Sequence, residues 1–477
     1  MKKLILLILL GIIAVGCSKD NGGPTNLGDS SISSFSFTAA GNGSLSKTAT
    51  GTIGELGNNH VIFITVEEGA DLTSLRPSFT VARNTVVTYN GSPVTENSTP
   101  IDFSERVELT VTAENGSSRV YNVLCKHGRE EVDKYVYNFM FQFDIPGVSV
   151  VVNKDEELVY SYGYGFADLE AKEKTTADHL FRLGSVSKQQ TSLCIMTLVE
   201  EGRLNLSDHV FGEGGILEEE FGTEMAENAK KVTIQNLLEH TSGWTSDDVD
   251  PMFTSDSNYD GKPLEEIIAY VLANVKQTYY PGAEYSYYNL GFGMLGKVIE
   301  KVTGKDFESY LREDVLSKAG VTEIYVGGDR SHKRENECVY YSQDGMNGYG
   351  NDMEMIKAAG GIIASAPALM KLMAHIDYGT KVPDILKKET LDLMYTPSKA
   401  YDHYGLGWRL NHTVFDNWAS YHSGNLAGTA AIWMRGYNGV SATVLCNSRS
   451  YLEIPGNDGG SFDDYLFTLL EDIEARF

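Results

Sequence analysis

The sequence predicts two folded units in series: an all-β sandwich, followed by an α/β sheet unit that carries a helical subdomain. Three observations predict this division. The chain has 477 residues, which at ~100–200 residues per domain is too long for one unit. Short alternating apolar runs fill residues 33–127, whereas residues 128–477 mix helical and strand patterns. Aromatic composition changes at the same point, because residues 33–127 hold no tryptophan and only Tyr89 and Tyr121 as tyrosines.

Residues 1–16 have the pattern of an export signal. Two lysines form a charged start, and the apolar run behind them is shorter than the ~20 residues that span a bilayer. The run ends in Ala-Val-Gly-Cys at residues 14–17, which resembles the lipobox of bacterial lipoproteins. We therefore expect the thiol of Cys17 to be acylated, with an ordinary secretory signal and an incidental cysteine as the alternative.

The next segment, residues 17–32, is polar and contains several helix-breaking residues, which predicts a flexible tether. Lipid, tether and folded units together predict an exported bacterial lipoprotein of the outer membrane, held on its periplasmic face or at the cell surface. The lipid on Cys17 would be the contact with the membrane.

The strands of the first unit, residues 33–127, follow from apolar and polar alternation at residues 35–38, 61–66 and 107–112. Asn90-Gly91 and Asn115-Gly116 supply the residue pairs that tight primed hairpin turns require. This spacing predicts a β-sandwich. It resembles the immunoglobulin-like modules of surface lipoproteins. We favour a spacer function for this β-module, with glycan or protein binding as the alternative.

The second unit, residues 128–477, begins and ends with similar elements. Its predicted helices cover 130–142, 185–201, 264–275, 290–302 and 463–476, and its predicted hairpins join 148–152 to 158–162 and 429–435 to 441–447. Strands from both ends would share one sheet, with the helical region inserted between them. A cleft is then expected at the junction of sheet and helices. We call residues 128–477 the sheet unit.

The composition excludes several partners and functions. With 65 acidic against 39 basic residues, a formal charge of −26 argues against nucleic acid and indicates solubility. Five cysteines without a Cys-x-x-Cys pair give neither a disulfide scaffold nor a zinc site. The sequence also lacks Gly-x-Ser-x-Gly, His-Glu-x-x-His and Walker patterns. We expect no metal and no cofactor.

Ser185 and Lys188 form the first candidate catalytic pair, at the start of an apolar helix. Residues three apart lie on one helix face, and the helix N-terminus favours a developing oxyanion. A partly desolvated lysine can lose its proton and act as a base, or stay charged and stabilise an alkoxide. The spacing alone is weak, since Ser44 and Lys47 share it in the β-module.

Tyr287 and Asn289 form the second motif, directly before a predicted helix. A phenol with a pKa of ~10 cannot act as a base at neutral pH unless the adjacent lysine lowers its pKa. The amide of Asn289 can donate a hydrogen bond to a substrate carbonyl. Tyr349-Gly350-Asn351 has the same spacing and is interpreted as loop.

The third motif is His422-Ser423-Gly424-Asn425, directly before the predicted strand 429–435. A glycine on a strand edge lets substrate approach the backbone. The backbone N–H of Asn425 could join that of Ser185 as the second donor of an oxyanion hole.

The three motifs, in this order, resemble those of the serine hydrolases of the class C β-lactamase, penicillin-binding protein and family VIII esterase group. Five further segments match that group: 145–150, 163–168, 237–243, 360–362 and 404–408. The resemblance implies a serine β-lactamase-like fold, an antiparallel sheet flanked by helices plus a helical subdomain. It implies Ser185 as the acylated nucleophile, Lys188 and Tyr287 as the proton-transfer pair, and Asn289 and 422–424 as substrate contacts. By the same resemblance, His240 is structural.

Two positions depart from the family pattern. His422 stands where true β-lactamases more commonly have lysine, so that an imidazole mostly neutral at pH 7 replaces a permanent charge for a substrate carboxylate. This lowers the case for penicillin as the natural substrate. Tyr288 stands where the class C pattern usually has serine. It could crowd the site, although a residue between Tyr287 and Asn289 need not face the cleft.

The predicted function is that of a membrane-anchored serine hydrolase acting through an acyl-enzyme on an amide, peptide or ester. D-Ala carboxypeptidase, D-aminopeptidase, esterase and β-lactamase activities remain open, with a cell-wall-type peptide, a D-amino-acid amide, an ester or a lactam as substrate. The loops at 243–262 and 327–352 are expected to shape the pocket. The alternative is a surface-anchored binding or adhesion lipoprotein with a catalytically silent penicillin-binding-protein-like domain.

Overall fold

The computed structural model describes residues 28–246, 249–343, 345–411, 417–451 and 460–477. The predicted export signal, Cys17 and most of the predicted tether lie outside these ranges. Among the helices of the described residues, none combines the length and the apolar character needed to cross a membrane.

The β-module is a sandwich of two sheets. Its strands are β1 (Ile32–Phe37), β2 (Ala49–Thr50), β3 (Thr52–Leu56), β4 (Asn59–Val66), β5 (Ser78–Val81), β6 (Val86–Tyr89), β7 (Ser92–Pro93), β8 (Val107–Thr112) and β9 (Ser118–His127). One sheet has the order β2-β1-β5 and the other β3-β4-β9-β8-β6-β7, in which β4 and β9 run parallel. Phe35 and Phe37 of the first sheet meet Ile62 and Val123 of the second in one core. The predicted all-β sandwich is confirmed.

The two hairpin turns predicted for this module differ in type. Asn90 and Gly91 have φ values of 50° and 76° and join β6 to β7 as a primed two-residue turn. Between β8 and β9 the connection is longer, and only Gly116 has a positive φ, of 86°. The primed turn predicted at Asn115-Gly116 is therefore wrong, because the longer loop lets Asn115 keep a negative φ.

The sheet unit contains both helices and strands. They are α1 (Glu130–Phe143), β10 (Gly147–Lys154), β11 (Glu157–Asp168), β12 (Glu173–Lys174), β13 (Leu180–Arg182), α2 (Ser187–Glu200), α3 (Glu218–Phe221), α4 (Ile234–Leu238), α5 (Leu264–Asn274), α6 (Asn289–Thr303), α7 (Phe307–Tyr310), β14 (Ile324–Val326), β15 (Tyr341–Ser342), β16 (Ile362–Ser365), α8 (Ala366–Met373), α9 (Lys388–Met394), β17 (Arg409–Leu410), β18 (Trp418–Leu426), β19 (Thr429–Gly436), β20 (Val440–Cys446), β21 (Ser448–Arg449) and α10 (Phe462–Glu474). The predicted helix 185–201 instead starts as a single 3₁₀ turn, Gly184–Val186, and continues as α2.

The main sheet has the order β12-β11-β10-β20-β19-β18-β17, with neighbouring strands antiparallel. Strands from the two ends of the unit lie side by side in it, as predicted. Along β19, Ile432 and Met434 belong to the core shared with α1 and α10, whereas Ala431 and Trp433 belong to the core shared with α2 and α6. Period-two alternation thus buries both faces of the sheet.

The β-module is packed directly onto the sheet unit. Because Ile62 faces the core of the module, its neighbours on β4, Val61 and Phe63, face outward and contribute to the core that contains α1. The ring of Phe63 stacks on that of Tyr137, with centroids 4.6 Å apart. Beside this contact, Lys126 Nζ lies 2.8 Å from the buried carboxylate of Asp133. A shared core and a buried ion pair therefore fix the two units to each other.

Candidate active site

One pocket brings most of the predicted site residues together. A cavity of about 370 Å³ lies between the helical region and β18. Of the predicted residues, its lining contains Ser185, Tyr287, Asn289, His422, Ser423 and Asn425. Lys188 and Gly424 are buried immediately behind this lining, and Cys17 lies outside the described residues.

Lys188 is held by three oxygen atoms. Its Nζ is 3.0 Å from Ser185 Oγ, 2.7 Å from Asn289 Oδ1 and 2.7 Å from the carbonyl oxygen of Ala359. Complete burial lowers the pKa of Lys188 well below its ordinary value. A neutral amine has two N–H groups and one lone pair, and the amide and carbonyl oxygens can only accept. The lone pair is therefore left facing the hydroxyl of Ser185.

Tyr287 shares a hydrogen bond with Ser185, and Lys188 Nζ lies 4.9 Å from the centre of its ring. Burial raises the pKa of the phenol, although the hydrogen bond and the charge of Arg409 oppose this rise. The condition stated for Tyr287 to act as a resting base, a pKa lowered by Lys188, is not met. A buried amine that tends to be neutral offers little stabilisation to a phenolate.

Asn289 is the first residue of α6, and its amide is oriented from both ends. Its Oδ1 accepts from Lys188, and its Nδ2 donates to Asp250 Oδ2 at 2.6 Å. One amide N–H remains for a ligand. The neighbouring Tyr288 is 2% exposed and stacks on Trp244 in the core, so the expectation that it could crowd the site is wrong.

The strand β18 presents backbone donors to the pocket. A two-residue turn after Leu426 makes Leu426 and Thr429 a hydrogen-bonded pair, so that Asn425 and Ala430 form the next, non-hydrogen-bonded pair. The N–H of Asn425 consequently points away from β19. On the side of β18 away from β19 lies the 3₁₀ turn that contains Ser185. The first N–H groups of such a turn have no acceptor within the helix.

Two glycines allow this close approach. A Cβ at Gly424 would lie 1.9 Å from the carbonyl oxygen of Leu183 and 2.8 Å from Ser185 N. A Cβ at Gly184, which has a φ of 51°, would lie 2.7 Å from Asn425 N. The missing side chain of Gly424 thus lets the backbone of the Ser185 turn come close to β18, in addition to any substrate. This contact places the N–H groups of Ser185 and Asn425 side by side.

His422 belongs to a buried chain of directed hydrogen bonds. The backbone N–H of Tyr288 donates to His240 Nδ1, so the other ring nitrogen, Nε2, carries the proton and donates to the Tyr404 hydroxyl at 3.2 Å. Tyr404 in turn donates to His422 Nε2 at 3.1 Å, and His422 Nδ1 donates to the carbonyl of Ser423.

Both imidazoles in this chain are neutral. Burial is the main cause that lowers the pKa of His240 and of His422 well below the ordinary value, and nearby cations add to it. His422 therefore lines the pocket as a fixed, uncharged side chain, and both of its ring nitrogens are hydrogen-bonded within the protein. Its role as a substrate contact stays a prediction. His240 lies beneath this side chain.

Sequence reasoning missed three polar residues of the pocket: Asp250, Asn351 and Arg409. The first two lie in the loops at 243–262 and 327–352, which do line the pocket as expected. Asn351 had been interpreted as loop only. Arg409 directly follows the segment 404–408, but the observation that reveals its role is the pairing of β17 with β18, which sets it opposite Tyr421.

Arg409 changes the expected charge of the site. Its side chain is surrounded by tyrosines, and its Nε has no hydrogen-bond partner within the described residues. An arginine stays protonated at all ordinary pH values. The permanent positive charge that His422 does not supply is thus provided by Arg409 on a neighbouring strand.

The described residues contain no group of three or more His, Cys, Asp or Glu side chains arranged to hold a metal ion. The four cysteines in the described ranges are buried free thiols: Cys125, Cys194, Cys338 and Cys446. Burial raises the pKa of each of these thiols.

Among curated proteins, the protein flp of Staphylococcus aureus (strain N315) is 25% identical over 222 residues, which are 46% of this chain and 43% of that protein. A beta-lactamase of Lysobacter lactamgenus is 31% identical over 196 residues, which are 41% of this chain and 46% of that protein. The chain thus spans less than half the length of the curated relatives it matches.

Two solved structures illustrate the likeness of fold. The octameric penicillin-binding protein homologue from Pyrococcus abyssi superposes with a TM-score of 0.56 and 25% identity, over 72% of this chain and 77% of that one. The D-alanine carboxypeptidase AmpC from Burkholderia cenocepacia superposes with a TM-score of 0.58 and 20% identity, over 73% of this chain and 99% of that one.

Two family models match the chain. The first, described as "SGBP, N-terminal", covers residues 32–125 and so coincides with the β-module. The second, described as "Beta-lactamase", covers residues 132–457, which is more than half of the chain and includes every described residue of the pocket. The chain belongs to the beta-lactamase family.

Proposed function

We propose that this protein is a serine hydrolase that cleaves a peptide or amide bond through an acyl-enzyme on Ser185. The neutral amine of Lys188 takes the hydroxyl proton as Ser185 Oγ bonds to the carbonyl carbon of the substrate. The backbone N–H groups of Ser185 and Asn425 stabilise the oxyanion that forms.

The proton then passes to the leaving group. Because the phenol of Tyr287 keeps its proton at neutral pH, it can donate that proton to the leaving nitrogen and recover one from the Lys188 ammonium. The carbon–nitrogen bond breaks, the amine departs, and the acyl group stays on Ser185. A water molecule, deprotonated by the same pair, then hydrolyses the ester.

The charge of Arg409 is the observation that selects among substrate classes. Its guanidinium carbon lies 5.8 Å from the ring centre of Tyr287, the residue that protonates the leaving group in this proposal. A guanidinium that has no carboxylate partner among the described residues fits a planar carboxylate with two parallel hydrogen bonds. We therefore place a carboxylate on the leaving-group side of the substrate, as in a carboxypeptidase.

The similar proteins support this class. One is described as a D-alanine carboxypeptidase and one as a beta-lactamase of Lysobacter lactamgenus. A D-stereospecific amidohydrolase from Streptomyces sp. shares the fold, with a TM-score of 0.53 and 23% identity over 67% of this chain. A substrate of D configuration is accordingly part of the proposal.

Mass spectrometry after incubation with a fluorophosphonate, and separately with a penicillin, tests the acyl-enzyme. We expect an adduct on Ser185 that is absent from Ser185→Ala. No adduct with either probe would favour the binding or adhesion protein. A penicillin adduct that is rapidly released would favour β-lactamase action, and turnover of short acyl esters alone would favour an esterase.

Arg409→Gln tests the carboxylate. A peptide with a free C-terminus and its C-terminal amide are compared by kcat/KM in the wild type and in the variant. We expect the wild type to prefer the free acid at least tenfold, as for a charged hydrogen bond of about 1.5–3 kcal/mol, and the variant to lose this preference. The exposed Arg203→Gln is the control. An unchanged preference in Arg409→Gln would refute the assignment.

We also propose that the protein is held at the outer membrane through a lipid on Cys17. The charged start, the short apolar run and the lipobox-like segment 14–17 support this. The wild type is expected in the outer-membrane fraction and Cys17→Ala in the soluble fraction. Recovery of both proteins in the soluble fraction would contradict the proposal.

A further inference from the structure

A second charged residue lines the pocket, with the opposite sign. Asp250 lies in the loop between α4 and α5, where its Oδ1 accepts from the backbone N–H of Met252 at 3.1 Å and its Oδ2 from Asn289 Nδ2 at 2.6 Å. These are neutral donors. In the described part of the chain, no lysine, arginine or histidine forms an ion pair with Asp250. No aspartate or glutamate there forms an ion pair with Arg409.

The two charges, which have no ion-pair partner among the described residues, are attached to different groups around the nucleophile. Asp250 is joined through Asn289 to Lys188, one hydrogen bond at each step. Arg409 lies beside Tyr287. If Tyr287 protonates the leaving group, the Arg409 side holds the leaving group, and the Asn289 side holds the acyl group.

We infer that Asp250 is a specificity-determining residue that binds a free ammonium on the acyl side of the substrate. This inference rests on the proposed function and narrows its substrate class. A substrate with an ammonium on the acyl side and a carboxylate on the leaving side of one scissile bond is an unblocked dipeptide. The site is thus that of a dipeptidase for zwitterionic dipeptides.

The chemistry of the pocket fits this substrate. A carboxylate oxygen that has accepted one hydrogen bond can still accept from an ammonium, which has three donors. Orienting the amide of Asn289 needs only an acceptor, and a neutral side chain could provide it without placing a charge in the pocket. The lowered pKa of the buried Lys188 favours its neutral form, which reduces its repulsion of the incoming ammonium. The volume of about 370 Å³ is at the small end for ligand sites.

A longer substrate is the competing occupant. A second cavity, of about 700 Å³, adjoins the pocket and shares Phe253, Met346, Asn351 and Ala427 with it. An N-acylated peptide could extend into this cavity. It would then cover Asp250 with an uncharged group and remove water from the carboxylate without replacing it, which costs binding energy.

The test compares D-Ala-D-Ala with N-acetyl-D-Ala-D-Ala in the wild type and in Asp250→Asn, a variant of nearly the same size. We expect the wild-type kcat/KM to be at least tenfold higher for the free amine, and the ratio in Asp250→Asn to fall by at least tenfold. Asp256→Asn, in the same loop but outside the pocket lining, is the matched control and should keep the wild-type ratio.

A second readout needs no variant. The preference of the wild type for the free amine should decline above about pH 8, as the α-amino group loses its charge. This pH dependence tests the role of Asp250 in binding the ammonium even if Asp250→Asn is inactive.

Two results would overturn the inference. One is a wild type that cleaves both substrates equally well or prefers the acetylated one. The other is an Asp250→Asn variant in which both activities fall by the same factor, which would make Asp250 a positioning residue for Asn289. Either result leaves the proposed hydrolase intact, whereas the absence of any adduct on Ser185 would reject both.

Discussion

Replacing Gly424 by alanine tests the contact between β18 and the turn of Ser185. The added Cβ would lie 1.9 Å from the carbonyl oxygen of Leu183, where ordinary contact begins near 3.4 Å. The two backbones must therefore separate by about 1.5 Å. This movement carries the N–H of Asn425 away from that of Ser185.

The expected loss of activity follows from the size of this movement. A misplacement of about 1 Å costs on the order of 100-fold, and loss of one oxyanion donor costs about 100–1,000-fold. We therefore expect kcat/KM for Gly424→Ala to fall at least about 100-fold. The free energy of unfolding should fall by about 1–3 kcal/mol, as for other overpacked sites.

Peptide hydrolysis, fluorophosphonate labelling of Ser185 and chemical denaturation are measured together. Gly291→Ala in α6 is the matched control, because its Cβ would meet Leu237 at an ordinary 3.6 Å. That variant should keep its activity and gain up to about 1 kcal/mol of stability from helix propensity. A folded Gly424→Ala protein with activity within tenfold of the wild type would refute the assigned oxyanion hole.

Three further predictions concern protonation and the buried polar groups. Lys188→Met should abolish hydrolysis, and the stability of the wild type relative to this variant should rise with pH up to about pH 10, by up to about 1.4 kcal/mol per pH unit, because the folded pKa of Lys188 is lowered and the unfolded chain binds the extra proton; a flat difference in urea unfolding would contradict this. Asp133→Ala should lower the free energy of unfolding by about 3–5 kcal/mol, because it leaves the ammonium of Lys126 buried without a counter-charge. The control is Glu131→Ala at an exposed position of the same helix, which should change that free energy by less than about 0.5 kcal/mol. Equal melting curves for the two variants would exclude the buried ion pair. Tyr404→Phe removes the hydroxyl between two buried imidazoles and should cost about 1–3 kcal/mol in denaturation measurements, and no loss would show that the chain of hydrogen bonds is dispensable.

The division into two units was predictable because hydrophobic period depends on local residue order. Alternation in the β-module and in β10, β11, β19 and β20 predicted strands, and their register follows from which face is buried. The type of the turn at Asn115-Gly116 was not predictable, since it depends on where the flanking strands stop pairing. The packing of Phe63 on Tyr137 was equally hidden, because it joins surfaces of two units.

The candidate catalytic residues could be named from the sequence because the chemistry proposed for them needs fixed local spacings. Ser185 and Lys188 are one helical turn apart, and Tyr287 and Asn289 flank the start of α6. Their contacts in the structure match these spacings. The sequence left open whether Tyr288 faces the cleft, because its orientation depends on the turn before the helix.

The sequence by itself determined the fold class and named the candidates for the nucleophile and for the residues that move its proton. Only the tertiary structure decided their protonation and the charge of the pocket. Burial lowers the pKa of Lys188 and so favours its neutral amine, and Asp250 and Arg409 reach the pocket from a loop and an edge strand that no motif includes. Solvation and Coulomb interaction act through space, so the electrostatics of the site depend on which segments meet there and not on their order along the chain.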